Sequence, residues 1–126
     1  MRLLERLKGE ILVGDGASGT LLYSFGIDTC YEELNLTNPE RIAELHKEYI
    51  GAGADLIQTN TFGANYHKLK RYGLEGEVER INREGVRLAK EAAAGRVYVL
   101  GTLGGLRSVR KSELSLTEIG TYFKEQ

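Results

Sequence analysis

The stretch Ile11-Leu12-Val13-Gly14-Asp15-Gly16-Ala17-Ser18-Gly19-Thr20 decides the fold. An apolar, partly β-branched run delivers a carboxylate into a glycine-rich turn, which is how α/β proteins present a polar group at a strand end. Two readings compete for it. Gly14, Gly16 and Gly19 match G-x-G-x-x-G, the phosphate-binding turn of dinucleotide folds. The same residues also suit the first strand of a barrel enzyme, with Asp15 as a substrate ligand.

Spacing separates the two. A dinucleotide fingerprint needs a crossover helix opening at the third glycine and a second strand ending in Asp or Glu about 20 residues further on. Here Gly19 leads only into Thr20-Leu21-Leu22-Tyr23-Ser24-Phe25-Gly26, too short for that helix. The next apolar run begins at Leu56 and closes on Thr59-Asn60-Thr61, without a carboxylate. A small α/β nucleotide-binding or other non-enzymatic module built on the Gly14–Gly19 loop is kept as the alternative.

Working outward, three strand-like runs appear: Ile11–Val13, Leu56–Thr59 and Val97–Leu100. Each is short and apolar from its start, as expected for strands covered on both faces. Helical patterns separate them. Met1 to Lys8 reads as a short amphipathic helix. Asn38-Pro39 places a capping residue before proline at the first helical position, and Thr37 to Glu40 offers a capping box one residue earlier. Ile42, Leu45, Tyr49 and Ile50 then form one stripe that Gly51 should terminate. A short helix is expected over Asn65–Tyr72, closed by Gly73. A longer one carries Val78, Ile81, Leu88, Ala89, Ala92 and Ala93 on one face. Gly85 falls on that face at a cost of about 1 kcal/mol against alanine, implying close approach of helix to sheet. The last helix begins near Ser115-Leu116-Thr117-Glu118. The β-α-β-α-β-α order predicts a parallel sheet with right-handed crossovers, and the run of helix up to Gln126 suggests a fragment.

Bulk properties narrow the classes. The 126 residues suit one domain and are 41% hydrophobic, enough for a core. Seventeen basic against 18 acidic residues give no charge suited to nucleic acid or an anionic membrane. No apolar run is long enough to span a membrane, and the N-terminus lacks a signal-peptide core. One cysteine, Cys30, fits a reducing, cytoplasmic setting.

The polar groups at strand carboxyl ends are Asp15, then Thr59, Asn60 and Thr61, then Thr102. In parallel α/β folds that edge is where ligands sit, although Asp, Asn and Thr also favour turns for their own sake. Asp15 is the best functional candidate, because glycines flank its charge and a turn alone needs no charge. Cys30, His46 and His67 share no metal-ligand spacing, so no metal site is assigned, and Lys68–Arg71 reads as a solvated helix face.

Taken together, Gly14–Thr20, Glu32-Glu33-Leu34-Asn35-Leu36, Ala52-Gly53-Ala54-Asp55, Thr59–Asn65 and Tyr72-Gly73-Leu74 resemble the homocysteine S-methyltransferase family, in order and at its spacing. Leu21–Asp28 and Val99–Arg107 carry a closer similarity to bacterial members fused ahead of a methylenetetrahydrofolate reductase domain. The resemblance implies that residues 1–126 are the amino-terminal part, about three βα units, of a (β/α)8 barrel that methylates homocysteine to methionine. It implies a zinc ion held by cysteines on later strands, ligands not in this chain, and FAD and folate through a fused reductase. It also implies that Asp15 holds the homocysteine amino group, with Thr59 and Asn60 in the same pocket. The family's betaine-using branch has a donor-binding tyrosine where this chain has Gly63, which argues against betaine. A partial barrel alone should neither bind zinc tightly nor transfer methyl groups, and its open sheet edge should favour self-association.

Overall fold

The computed structural model describes residues 2–106 and 114–126; Met1 of the expected first helix and Arg107 of the family-like segment lie outside them. In chain order the helices and strands are α1 (Leu3–Arg6), α2 (Ser18–Ser24), α3 (Leu34–Thr37), α4 (Pro39–Gly51), β1 (Leu56–Gln58), α5 (Tyr66–Leu69), α6 (Val78–Ala93), β2 (Tyr98–Leu100) and α7 (Leu116–Glu125). β1 and β2 pair in parallel, Leu56 against Tyr98, Ile57 against Val99 and Gln58 against Leu100.

The helix limits follow local chemistry. Asn38 caps α4 by accepting a bond from the Arg41 N–H, ahead of Pro39, so the asparagine cap prevails over the Thr37 box. α4 ends at Gly51 as expected, while the left-handed residue of the turn that follows is Gly53, φ 102°. Asn65 caps α5, a short 3-10 turn over Lys70–Tyr72 extends it, and Gly73 at φ 70° closes it. Ser115 and Glu118 form a reciprocal capping box on α7. α1 is shorter than its pattern suggested. Its Arg6 reaches Glu10 at 2.8 Å and Asp55 at 3.4 Å, and the guanidinium lies 5.7 Å from the Tyr98 ring centre. That ties α1 to the amino ends of both strands.

Ile11–Val13 is not a ladder strand. Its pairing with β1 is confined to the Gly14–Leu56 bridge and a few flanking bonds, including Asp55 N–H to Val13 O at 2.7 Å and Asp15 N–H to Leu56 O at 3.0 Å. Ile11 is 95% exposed. A parallel strand is held by neighbours on its sides and faces; here it has one side partner, and of the three residues only Leu12 is half-buried. The expectation of strands covered on both faces fails for the same reason. Ile57 is fully buried, but all of β2 is only half-buried, because α4 and α6 form a single layer over the sheet.

That layer holds the core. Ile42 and Leu45 of α4 pack with Leu22, Leu34 and Leu88. Ala89 and Ala93 of α6 pack on Ile57 and Ala54, while Val78 and Ile81 pack with Leu69, Ala64 and Cys30. Gly85 lies on the buried face as its spacing predicts. A Cβ there would meet Thr61 Cγ2 at 2.7 Å and Asn35 Nδ2 at 2.8 Å. Both neighbours are buried and hydrogen-bonded, so neither can yield cheaply. Gly85→Ala should therefore destabilise the fold by roughly 1–2 kcal/mol in urea unfolding, overpacking outweighing the ~1 kcal/mol helix gain. A stabilised variant would show that the helix can move away.

Candidate functional site

The glycine turn after Val13 crosses the carboxyl edge of the sheet. Its carboxylate does what backbone pairing no longer does there: Asp15 Oδ2 accepts the Gln58 N–H at 2.9 Å and Oδ1 accepts the Gln58 side-chain amide at 3.3 Å. Two of roughly four carboxylate lone-pair positions are thus used, leaving acceptor capacity toward the open side.

Thr59 and Asn60 extend that edge, and their polar groups face the fold. Thr61 Oγ1 donates to Thr102 O at 2.7 Å, so in the 2.8 Å hydroxyl pair the proton must come from Thr59. Thr59 Oγ1 in turn accepts the Thr102 N–H at 3.0 Å. These threonines bolt the end of β1 to the end of β2. Asn60 Nδ2 donates to Tyr31 O at 2.8 Å and to Asn35 Oδ1 at 2.9 Å, which commits both amide hydrogens.

A pocket of about 350 Å³ opens between the Asp15–Gly19 turn, Tyr31 with Glu32, and the strand ends at Gln58–Asn60, Phe62 and Thr102. Its volume lies at the small end of ligand sites, and its charged walls, Asp15 and Glu32, are both acidic. Such a space suits a small cationic or zwitterionic molecule. A larger cavity of about 710 Å³ lies between α6 and Gly101–Leu103. Two of its cations, Arg83 and Arg87, already pair with Glu79, Glu84 and Glu91, so the smaller pocket is the better site.

The sequence placed Tyr49 in the α4 stripe and Glu32 and Gly63 in the family motifs, but it did not reveal what each of them touches. Glu32 Oε1 accepts the Gly63 N–H at 2.6 Å, and Oε2 accepts the Cys30 thiol at 3.6 Å. A Cβ at Gly63 would sit 2.7 Å from the Glu32 carboxylate. Gly16 is packed against Tyr49, whose hydroxyl donates to Ala17 O at 3.1 Å. Only the glycines themselves hinted at such close neighbours.

Cys30, His46 and His67 sit on separate segments, before the Tyr31–Glu33 turn, in α4 and in α5. Cys30 is buried, and burial pushes its thiol up to about 11. His46 is buried in α4, whereas His67 sits in α5 near the Tyr122 ring. Among the described residues no three His, Cys, Asp or Glu side chains cluster as a metal site, and no helix is long and apolar enough to cross a membrane.

The small acidic pocket lies at the strand carboxyl ends, the edge where parallel α/β folds place ligands. The homocysteine S-methyltransferase family profile matches residues 12–126, and the chain belongs to that family. It is 36% identical to methionine synthase of Mycobacterium leprae and 34% to that of Mycobacterium tuberculosis, over 116 residues each. Each match covers 81% of this chain and 10% of the relative. Crystal structures of the homocysteine methyltransferase MmuM from Escherichia coli are also similar, at 26% identity. The oxidised form gives a TM-score of 0.67 over 78% of this chain and 39% of that one. The metallated form gives 0.71 over 84% and 42%.

His46 supplies a pH test. It is fully buried, and burial holds its imidazole below the ordinary 6.5, with the Asp15 charge opposing. Above that value the ring is neutral in both folded and unfolded chains. As pH falls through it, the unfolded chain binds a proton that the folded chain refuses, so stability drops until the depressed folded value is reached. Melting temperatures measured from about pH 8 to about pH 5 should fall, and His46→Leu should flatten that fall. An unchanged slope in the variant would assign the acid sensitivity to other groups.

Proposed function

We propose that this chain is the amino-terminal part, about three βα units, of a (β/α)8 barrel that transfers a methyl group to the sulfur of homocysteine, giving methionine. The carrying observation is the Asp15 carboxylate at an acidic, amino-acid-sized pocket, in a chain of this family. A complete barrel of this type takes about 250 residues. The chain spans about a tenth of the methionine synthases it matches and about two fifths of MmuM, which supports reading it as one portion of such a barrel.

In this reading the ammonium group of homocysteine occupies the free acceptor positions of Asp15. Thr59 keeps the β1 and β2 ends together as one wall, and Asn60 fixes the Tyr31 side of the pocket. A donor other than betaine fits Gly63, since a side chain at that position would strike Glu32. The chemistry that zinc would supply in a full-length protein is stabilisation of a thiolate, the thiol's proton passing to solvent. The described residues do not suit zinc: their one thiol is buried, hydrogen-bonded to Glu32 and hard to ionise. Its ligands therefore lie outside this chain in the proposal, and the 126 residues alone transfer no methyl group. The reductase fusion with FAD and folate finds no support among these relatives and is not part of the proposal. The free buried thiol suits a cytosolic enzyme.

Asp15→Asn in the full-length protein tests the ligand role. Asparagine keeps an oxygen for the Gln58 N–H, so the fold should lose no more than about 1.5 kcal/mol. Losing the charge-assisted bond to an ammonium, worth about 1.5–3 kcal/mol, should raise the KM for homocysteine about 10- to 150-fold. Normal homocysteine kinetics in an easily unfolded variant would make Asp15 a structural latch only.

The open sheet edge and uncovered face lead us to propose that the 126-residue chain self-associates. Sedimentation at rising concentration should give species larger than the monomer. A monomer throughout, with one cooperative unfolding transition, would count against it.

A further inference from the structure

We infer that Tyr49 is a positioning residue for the pocket turn, holding Gly16 and Ala17 from behind so that Asp15 keeps its place at the pocket. The inference rests on the proposed function for its ligand and on geometry for the rest. Gly16 is not among the glycines with positive φ, so its backbone does not demand glycine. What demands it is α4: a Cβ at Gly16 would lie 2.8 Å from the Tyr49 hydroxyl oxygen, 3.0 Å from Cε1 and 3.2 Å from Cζ. The hydroxyl then donates to Ala17 O at 3.1 Å. Glycine and tyrosine thus form a matched pair across 33 positions of sequence, the difference between 49 and 16.

Tyr49 can act as a fixed post because its ring is packed by two core clusters, one under α2 and α3 and one under β1. Asp15 is gripped on its other side by Gln58. The sheet holds the turn at Asp15 through Gln58 and Leu56, and Tyr49 holds it from α4 at Ala17. Without the hydroxyl, only the sheet-side bonds to Gln58 and Leu56 locate Asp15, and the Gly16–Ala17 link gains freedom that ligand binding must remove. The expected signature is weaker binding of the amino acid with the chemical step untouched.

Tyr49→Phe keeps the ring and removes the hydroxyl. In the 126-residue chain, amide hydrogen exchange at Asp15, whose N–H donates to Leu56 O, should quicken about 2- to 10-fold while α6 is unaffected. In the full-length protein, the KM for homocysteine should rise by a similar factor with kcat held. Gly16→Ala should raise KM further in the wild-type background than in the Tyr49→Phe background, since the hydroxyl is the nearest obstacle; the two losses are coupled. Unchanged exchange at the turn, a fall in kcat without a KM effect, or strictly additive losses would each overturn the assignment. A wild-type protein that does not use homocysteine refutes the proposed function alone, and the exchange measurement then decides the role of Tyr49 by itself.

Discussion

Asn35 and Asn60 hold one another in the interior, and four segments meet at that pair. Asn35 Nδ2 donates to Asn60 O at 2.9 Å and to Ile81 O at 3.1 Å, while Asn60 Nδ2 donates to Asn35 Oδ1 and to Tyr31 O. α3, the end of β1, the turn before α3 and α6 are joined by side-chain amides in a dry place. Buried amides left unpaired cost about 1–3 kcal/mol each, so the arrangement is close to all-or-none. Its geometry is possible only because Gly85 lets α6 come down onto Asn35 and Thr61. The floor of the pocket is thereby built into the core.

The pocket is a consequence of that floor. With Asn60 fixed, Thr59 and Thr61 point where Thr102 can join them, and the two strand ends become one rigid edge. Glu32 reaches the same edge from the other side through the Gly63 N–H. Close approaches at Gly16, Gly63 and Gly85 recur throughout: side chains from α4, the Tyr31–Glu33 turn and α3 occupy space that a methyl group would fill. Tyr49 and Asn35, which do not line the pocket, thus hold Ala17 and Asn60, which do.

The pocket-side glycines carry the main lesson about the sequence. Read locally, glycines around Asp15 suggest room for a ligand. In the structure Gly16 makes room for Tyr49, and Gly19 lies against the Tyr31 ring. Similarly, Asn60 reads as a polar group at a strand end, yet both its amide hydrogens turn inward. Asp15 serves the sheet through Gln58 as well as facing the pocket. Asp15 and Asn60 were legible as special, but their partners Gln58, Tyr31 and Asn35 were not, because those lie tens of residues away.

Elements whose causes are local could be read directly from the residues. Asn38-Pro39, Asn65, Ser115 with Glu118, and the apolar stripe of α6 act within three or four residues, where capping bonds and helical periodicity operate. The ordered motifs from Gly14 to Leu74 likewise carried the family, since they are a linear pattern. The tertiary structure alone decided that Ile11–Val13 would stay outside the ladder, that β2 would be half-covered, and which hydroxyl protons and carboxylate lone pairs remain for a ligand. Those outcomes depend on neighbours distant in the chain, and hydrogen-bond capacity is settled only when every competing partner is in place.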